Sequence, residues 1–319
     1  SRSRSRDPRV VMHTSFHCMG CEMSLQVADD GAARGARHLL ERFDACLSRF
    51  DPDSELSRLN RDRRETVPAS ALLRAAVAAA RWAAERSRGL VDPTLLPALA
   101  AQGYEPSLAG ATPPSLRSAL AAAPPRRPAR PARRARGRAI EIDAPGGTVT
   151  RPPRLALDTG GSTKGLAADA VAYLLDDEPG YVVDCGGDLR IRAPRSIAVA
   201  VEHPLAGTVA HTLQVASGAV ATSGLGRRLW RRGDGFAHHL LDPATGEPAW
   251  TGVVQATALA PSALEAETLA KAALLAGPRA ARRLLAAHGG VLVHDDGAVE
   301  PVGPRARPSL QIIPMEVAA

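Results

Sequence analysis

Apolar positions recur at helical spacing between Arg34 and Arg49, and the turn Asp51-Pro52-Asp53-Ser54 follows. An Ala-rich stretch from Ser70 to Arg86 reads as a long helix, with Ser70 as its cap and Gly89 as its stop. Val10 to Met12 and Ser24 to Val27 read as strands on either side of Cys18-Met19-Gly20-Cys21. Beyond Ile140 the β pattern dominates: Ala139–Ile142, Tyr181–Asp184, Ser196–Val201, Ala210–Val215, Phe236–Leu240, Val253–Ala260 and Val291–His294. Helical periodicity interrupts it at Thr163–Asp176 and Ala263–Ala276, and again after Pro278 at Arg279–His288. Strands and helices mixed without regular βαβ spacing predict an α+β fold with mixed or antiparallel sheets and packed helices. No repeat occurs at a fixed period.

The chain of 319 residues accommodates one large domain, read here as residues 10–319, with residues 1–9 as a disordered tail. Aromatic residues are only 3% of the chain, so Ala, Val and Leu must build the core. No apolar run approaches the ~20 residues that span a bilayer. The start lacks an initiator Met and reads as trimmed of any signal or anchor segment, so a cytoplasmic and an extracytoplasmic location both stay open.

The net charge of +7 suggests nucleic acid until it is located. Seven arginines between Arg126 and Arg138 account for all of it, and Pro124, Pro125, Pro128 and Pro131 lie among or beside them. This reads as a solvated Arg/Pro-rich insertion near 106–138. No aromatic residues interleave with the arginines, so a stacking platform for single strands is missing and no nucleic-acid partner is expected. The C-x-x-C spacing of Cys18 and Cys21 lacks a second Cys or His pair, and it reads as thiols within a strand rather than a zinc or redox site. Only two of the forty basic residues are lysine, Lys164 and Lys271. Both fall inside segments with chemical character.

Asp158-Thr159-Gly160-Gly161-Ser162-Thr163-Lys164-Gly165 opens a helix. Glycines allow close backbone approach, amides at a helix N-terminus attract phosphate, and Lys164 adds a compact charge. The spacing fits neither a P-loop nor a dinucleotide fingerprint, and a plain tight turn would look similar. Thr222-Ser223-Gly224 follows a strand. In His239-Leu240-Leu241-Asp242-Pro243-Ala244-Thr245-Gly246, His239 and Asp242 can polarise a hydroxyl or position a pyrophosphate, or simply end a strand. Glu267 and Lys271 lie four apart on one helical face in apolar surroundings, which points them toward a site.

Together and in order, these segments resemble the FAD:protein FMN transferases, the ApbE family. Met19-Gly20-Cys21 resembles its Met-Gly-Thr, and Asp53 to Asn60 its Ser-Glu-Leu-Ser-x-x-Asn stretch. Gly89-Leu90-Val91-Asp92-Pro93-Thr94 is similar to Gly-x-Phe-Asp-Pro-Thr, with Gly103-Tyr104 in place of Trp-Gly-Phe. Asp158–Gly165, Gly186-Gly187-Asp188, Thr222-Ser223-Gly224 and His239–Gly246 are similar to four further family motifs. The resemblance implies FAD as donor, Mg²⁺ on the pyrophosphate, transfer of FMN to a Thr or Ser hydroxyl of an acceptor protein, and release of AMP. It assigns cofactor contacts to Met19, Asn60, Leu90, Val91, Asp92, Asp158, Gly160, Lys164, Leu166, Thr222, Ser223 and Leu241. It assigns catalytic roles to His239 and Asp242 and metal ligation to Glu267 and the Thr163 carbonyl, and Lys271, which departs from the family pattern, joins the catalytic candidates on the strength of its helical pairing with Glu267.

One departure lies in the metal-site helix. The family pattern Ala-Asp-x-x-x-Thr becomes Ala266-Glu267-x-x-x-Lys271. Glutamate can ligate Mg²⁺, whereas a charged lysine offers three donors and no acceptor. Two readings follow: an active flavin transferase with Lys271 replacing part of the metal's charge, or an FAD-binding protein with lost or altered transfer, such as a carrier or a specialised biosynthetic enzyme.

Overall fold

The computed structural model describes residues 12–105, 112–133 and 136–303. Its first elements are the hairpin β1 (Met12–Cys18) and β2 (Cys21–Val27), then α1 (Asp30–Leu47). The Asp29 carboxylate caps α1 by accepting from the Ala32 amide. Ala33, Ala36, Leu40, Phe43 and Leu47 form its buried stripe, at the three- and four-residue spacing that one helix face requires. Next come α2 (Glu55–Arg61), β3 (Thr66–Pro68), α3 (Ala71–Arg86), α4 (Leu96–Ala101) and α5 (Leu116–Ala122). Ser70 caps α3, as its position predicts.

The second half contains β4 (Glu141–Asp143), β5 (Thr148–Thr150), α6 (Thr163–Leu174), β6 (Tyr181–Cys185), β7 (Asp188–Glu202) and β8 (Val209–Gly224). It continues with β9 (Leu229–Arg232), β10 (Gly235–His238), β11 (Val253–Ala260), α7 (Ala263–Leu285), β12 (Gly290–His294) and β13 (Val299–Val302). The predicted break before Pro278 appears inside α7, where Gly277 takes φ +73°. The predicted strands at 196–201 and 210–215 are the outer parts of β7 and β8, which extend inward to Asp188 and Gly224. Arg190, Arg192 and Pro194 mask the inner part of β7 from a hydropathy reading. Of the expected strand at Val10–Met12, only Met12 lies within the described residues.

Eight strands form one sheet in the order β1-β2-β6-β7-β8-β11-β12-β13, with every neighbouring pair antiparallel. A three-stranded sheet (β3-β5-β4) and the β9–β10 pair stand apart from it. The fold is α+β. Helices α1, α6 and α7 pack against the large sheet, α6 contacts both α1 and α7, and α3 packs on all three helices. Ala256, Ala258, Ala266, Ala270 and Ala273 are fully buried at the α7–sheet contact. Small side chains there bring helix and sheet close, which suits a chain poor in aromatics.

Between Pro124 and Arg133 the Arg/Pro segment forms no helix or strand and Arg126, Arg127, Arg130 and Arg133 are exposed, but its backbone is docked. The Arg127 and Ala129 amides donate to the carbonyls of Trp250 and Leu275, both at 2.9 Å. The Arg130 carbonyl accepts from the Ala244 amide at 3.0 Å, and Arg126 pairs with Asp295 at 2.6 Å. This segment is therefore a strap tied to the molecule, a tie invisible to composition because backbone groups make it. Arg127, Arg130 and Arg133 replaced together by Ser are expected to change stability by less than about 0.5 kcal/mol in urea unfolding. Deleting 126–131 removes the backbone bonds and lowers the melting temperature.

Candidate functional site

The N-terminus of α6, the Gly186-Gly187 turn that opens β7, the end of β8 and the first half of α7 meet at one place. The Thr222 amide donates to the Gly187 carbonyl at 3.2 Å, and Asp188 pairs with Ala221 across β7 and β8. Asp169 of α6 accepts from the Ala263 and Leu264 amides at 2.8 and 2.9 Å, fixing α7 against α6. A Cβ on Gly165 would lie 2.6 Å from the Ala263 carbonyl oxygen, so this glycine serves the helix–helix approach.

Both lysines of the chain are here, each paired to a buried carboxylate. Lys164 Nζ lies 2.5 Å from Asp188, and Lys271 Nζ lies 2.7 Å from Glu267. The second oxygen of Glu267 accepts from the Gly165 amide at 2.8 Å. Burial opposes the Lys164 ammonium, but Asp188 and Glu267 outweigh it and hold its pKa above the ordinary lysine value. Burial pushes the Glu267 carboxyl up, with Lys271 pulling the other way. Arg227 reaches the Gly186 carbonyl at 3.0 Å, and Arg228 reaches the Tyr104 hydroxyl at 2.7 Å. Asp184 accepts from the Gly187 amide at 2.7 Å.

His239 is half-buried, and its Nδ1 faces the Arg228 carbonyl at 3.4 Å. A carbonyl only accepts, so that nitrogen carries the proton and Nε2 keeps its lone pair. Burial first, then Arg228, His238 and Lys271, hold His239 well below the usual imidazole range. Its neighbour His238 is fully buried, edge-on to Trp250 with centroids 4.7 Å apart, and burial lowers its pKa to about 3. A histidine whose folded pKa is depressed binds fewer protons than its unfolded counterpart between that value and about 6.5. Stability should therefore fall as pH drops from about 6.5 toward 3, by up to ~1.4 kcal/mol per pH unit from His238, with His239 acting in the same direction. Denaturant unfolding across that range checks this, and His238→Phe should flatten the slope.

Other predicted residues have local duties. Asn60 exchanges two 2.8 Å bonds with the Leu157 backbone, tying α2 to the Gly-rich turn. Asp158 accepts from the Gly160 amide at 2.8 Å and lies 3.4 Å from Arg49. Asp92 accepts from the Thr94 amide and hydroxyl. Val91 lies beside Gly161, and Leu90, Leu166 and Met19 pack against the main core. Leu241 is buried with Leu99 and Tyr104. The Thr222 hydroxyl meets that of Thr257 at 2.9 Å, and Ser223 is buried opposite Ala256. Asp242 Oδ1 accepts from the Ala244 and Arg130 amides at 2.9 and 3.0 Å, so its carboxylate organises its own turn and holds the strap.

The turn expected to offer phosphate its amides is largely satisfied internally. The amides of Ser162 and Thr163 donate to Thr159, that of Leu166 to Ser162, and those of Gly160 and Gly165 to carboxylates. Side-chain cations remain as the principal anion-binding groups. Asp188, Arg227 and Arg228 were not selected from sequence, although Asp188 ends the Gly-Gly-Asp motif that could have flagged it.

The residues do not fit a divalent cation. Glu267, the side-chain ligand expected on this helix, has both oxygens engaged, one of them by the Lys271 ammonium and the other by the Gly165 amide. Among the described residues, no group of three or more His, Cys, Asp or Glu side chains is placed to hold a metal. Cys18 and Cys21 are unpaired thiols, and burial pushes Cys18 up to about 12, away from the thiolate a metal needs.

A model of the ApbE family matches residues 19–293, most of the chain. The chain belongs to the ApbE family. It is 27% identical over 288 residues to the FAD:protein FMN transferase of Vibrio cholerae, covering 85% of this chain and 83% of that protein. With the enzyme of the same name from Escherichia coli it shares 28% over 145 residues, 43% of this chain and 41% of the relative. Similarity to that relative thus spans about two fifths of its length. The ApbE protein of Thermotoga maritima superposes with a TM-score of 0.76 at 24% identity, covering 92% of this chain and 97% of that one. The apo flavinyl transferase ApbE of Pseudomonas stutzeri gives 0.72 at 23% identity, with 92% and 95% covered. These two likenesses establish the ApbE fold. No helix among the described residues is long and apolar enough to cross a membrane.

Proposed function

We propose that this chain binds FAD and transfers its FMN half to a threonine or serine hydroxyl of an acceptor protein. The acceptor oxygen bonds to the FMN phosphorus, the bond from that phosphorus to the bridging oxygen breaks, and AMP leaves with the bridging oxygen. The hydroxyl proton passes to a base at the site and then to solvent. Family membership supports this reading. The observation that carries it is the placement of Arg228 and Lys271 near His239, with Lys164 held on Asp188 and Arg227 on the adjoining Gly186 turn. An FAD pyrophosphate carries two negative charges, and preorganised cations in a shielded site stabilise the charge that moves onto the leaving phosphate.

His239 is the group suited to take the proton, because Nε2 holds its lone pair while Nδ1 is turned to a carbonyl. Burial is the main cause of its depressed pKa; an incoming pyrophosphate opposes the second, the positive charges of Arg228 and Lys271, and so favours proton uptake by the imidazole. Asp242 acts by positioning: it shapes the turn that follows His239.

Incubation of FAD with an acceptor protein should release AMP and leave a flavin-fluorescent acceptor after denaturing electrophoresis. His239→Asn should lower AMP release by about 10²- to 10⁴-fold with FAD affinity nearly unchanged. FAD binding without AMP release or acceptor labelling by the wild-type protein would identify it instead as an FAD carrier.

A further inference from the structure

We infer that Lys271 is a built-in replacement for a divalent cation, so that this protein holds the FAD pyrophosphate without a metal. The inference rests on the FAD-binding reading above and concerns what neutralises the pyrophosphate there.

Three observations converge. Lys271 Nζ lies 2.7 Å from the fully buried Glu267 carboxylate, which is where a cation held by that carboxylate would be. The other Glu267 oxygen is fixed by the Gly165 amide, so the carboxylate has no oxygen left without a partner. Lysine is otherwise absent apart from Lys164, also at this site, in a chain that uses arginine for every other basic position. A compact ammonium resembles a metal ion in being a point charge, whereas a guanidinium is a wide planar fork.

The charge arrangement supports the same conclusion. Lys164 and Lys271 balance Asp188 and Glu267, and Asp184 is held by the Gly187 amide. Arg227 and Arg228 are bonded to a carbonyl and a phenol, leaving their charges uncompensated by those contacts. Cations thus exceed carboxylates before any metal is added. An ammonium that has three protons and bonds to Glu267 through one can donate the others to phosphate oxygens. A dication at the same carboxylate would face Lys271 at contact distance, where repulsion opposes it.

The test is calorimetric titration of the purified protein with FAD, in EDTA and in Mg²⁺. The expected result is saturable binding with the same Kd in both, within about twofold, and no saturable heat on titrating Mg²⁺ alone. Lys271→Thr frees Glu267 and supplies a hydroxyl acceptor. This variant should lose about tenfold or more in FAD affinity in EDTA and recover it on adding Mg²⁺. If Lys271→Thr fails to fold, Glu267→Gln/Lys271→Met removes both charges together. That protein should bind FAD about tenfold more weakly with or without Mg²⁺. Wild-type binding that appears only with Mg²⁺, or variant binding as tight as wild type in EDTA, overturns the inference while leaving the FAD reading intact. No FAD binding in either buffer overturns both.

Discussion

Lys164→Met is expected to lower FAD affinity by at least about 100-fold, equivalent to ~2.7 kcal/mol. The ammonium sits at the start of α6 and is held by Asp188, which is almost fully buried. Two losses combine on substitution: the pyrophosphate loses a donor, and Asp188 becomes a buried carboxylate whose negative charge repels it. Removing one partner of a buried pair also costs about 3–5 kcal/mol of stability, so the single variant needs a companion. Lys164→Met/Asp188→Asn removes both charges and leaves an amide that can still bond nearby. That protein should regain much of the stability in denaturant unfolding yet still bind FAD poorly. Recovery of affinity in the double variant would mean that Lys164 serves only to neutralise Asp188.

Gly165→Ala is expected to cost about 3 kcal/mol or more, at the upper end of what overpacking does. Its added Cβ would lie 2.6, 2.7 and 2.8 Å from Ala263 O, Ala263 C and Leu264 Cα. All three are backbone atoms at the start of α7, so no rotamer change relieves the clash. The helices must separate, which breaks the Gly165 amide bond to Glu267 and moves Lys271 with α7. Gly35→Ala is the control: that glycine lies within α1, and its new Cβ would meet only Leu174 Cδ2 at 3.7 Å. A helical glycine replaced without a clash should stabilise by roughly 0.5–1 kcal/mol. Unfolding in urea compares the two directly, and a drop below about 1 kcal/mol for Gly165→Ala would show that the helix contact yields easily.

Much of this architecture is legible in the sequence where local signals are strong. Ser70 marks the start of α3, Gly277-Pro278 marks the break in α7, and Val253–Ala260 is a strand along its whole predicted length. Legibility fails where long-range pairing decides. Nothing local signals β3 and β5, three residues each, which are strands only because they pair across the chain. The inner part of β7 carries arginines whose partners, Asp169 and Asp176, lie on or just after α6. At the site, spacing placed Glu267 and Lys271 on one helical face, and the lysine count singled out Lys164 and Lys271. The Gly-rich turn was harder to read. Gly165 allows two helices to touch, and the amides around it bond inward, which depends on α7 lying across the turn.

On the proposed function, the lysine and arginine cluster recognises the pyrophosphate of FAD. Calorimetric titration of one protein preparation with FAD and with riboflavin, which carries the same isoalloxazine but no phosphate, tests it most directly. Saturable FAD binding with riboflavin at least about 100-fold weaker is the predicted result. Equal affinity for the two would contradict the account, because binding would then come from the flavin ring and the cationic cluster would have no ligand.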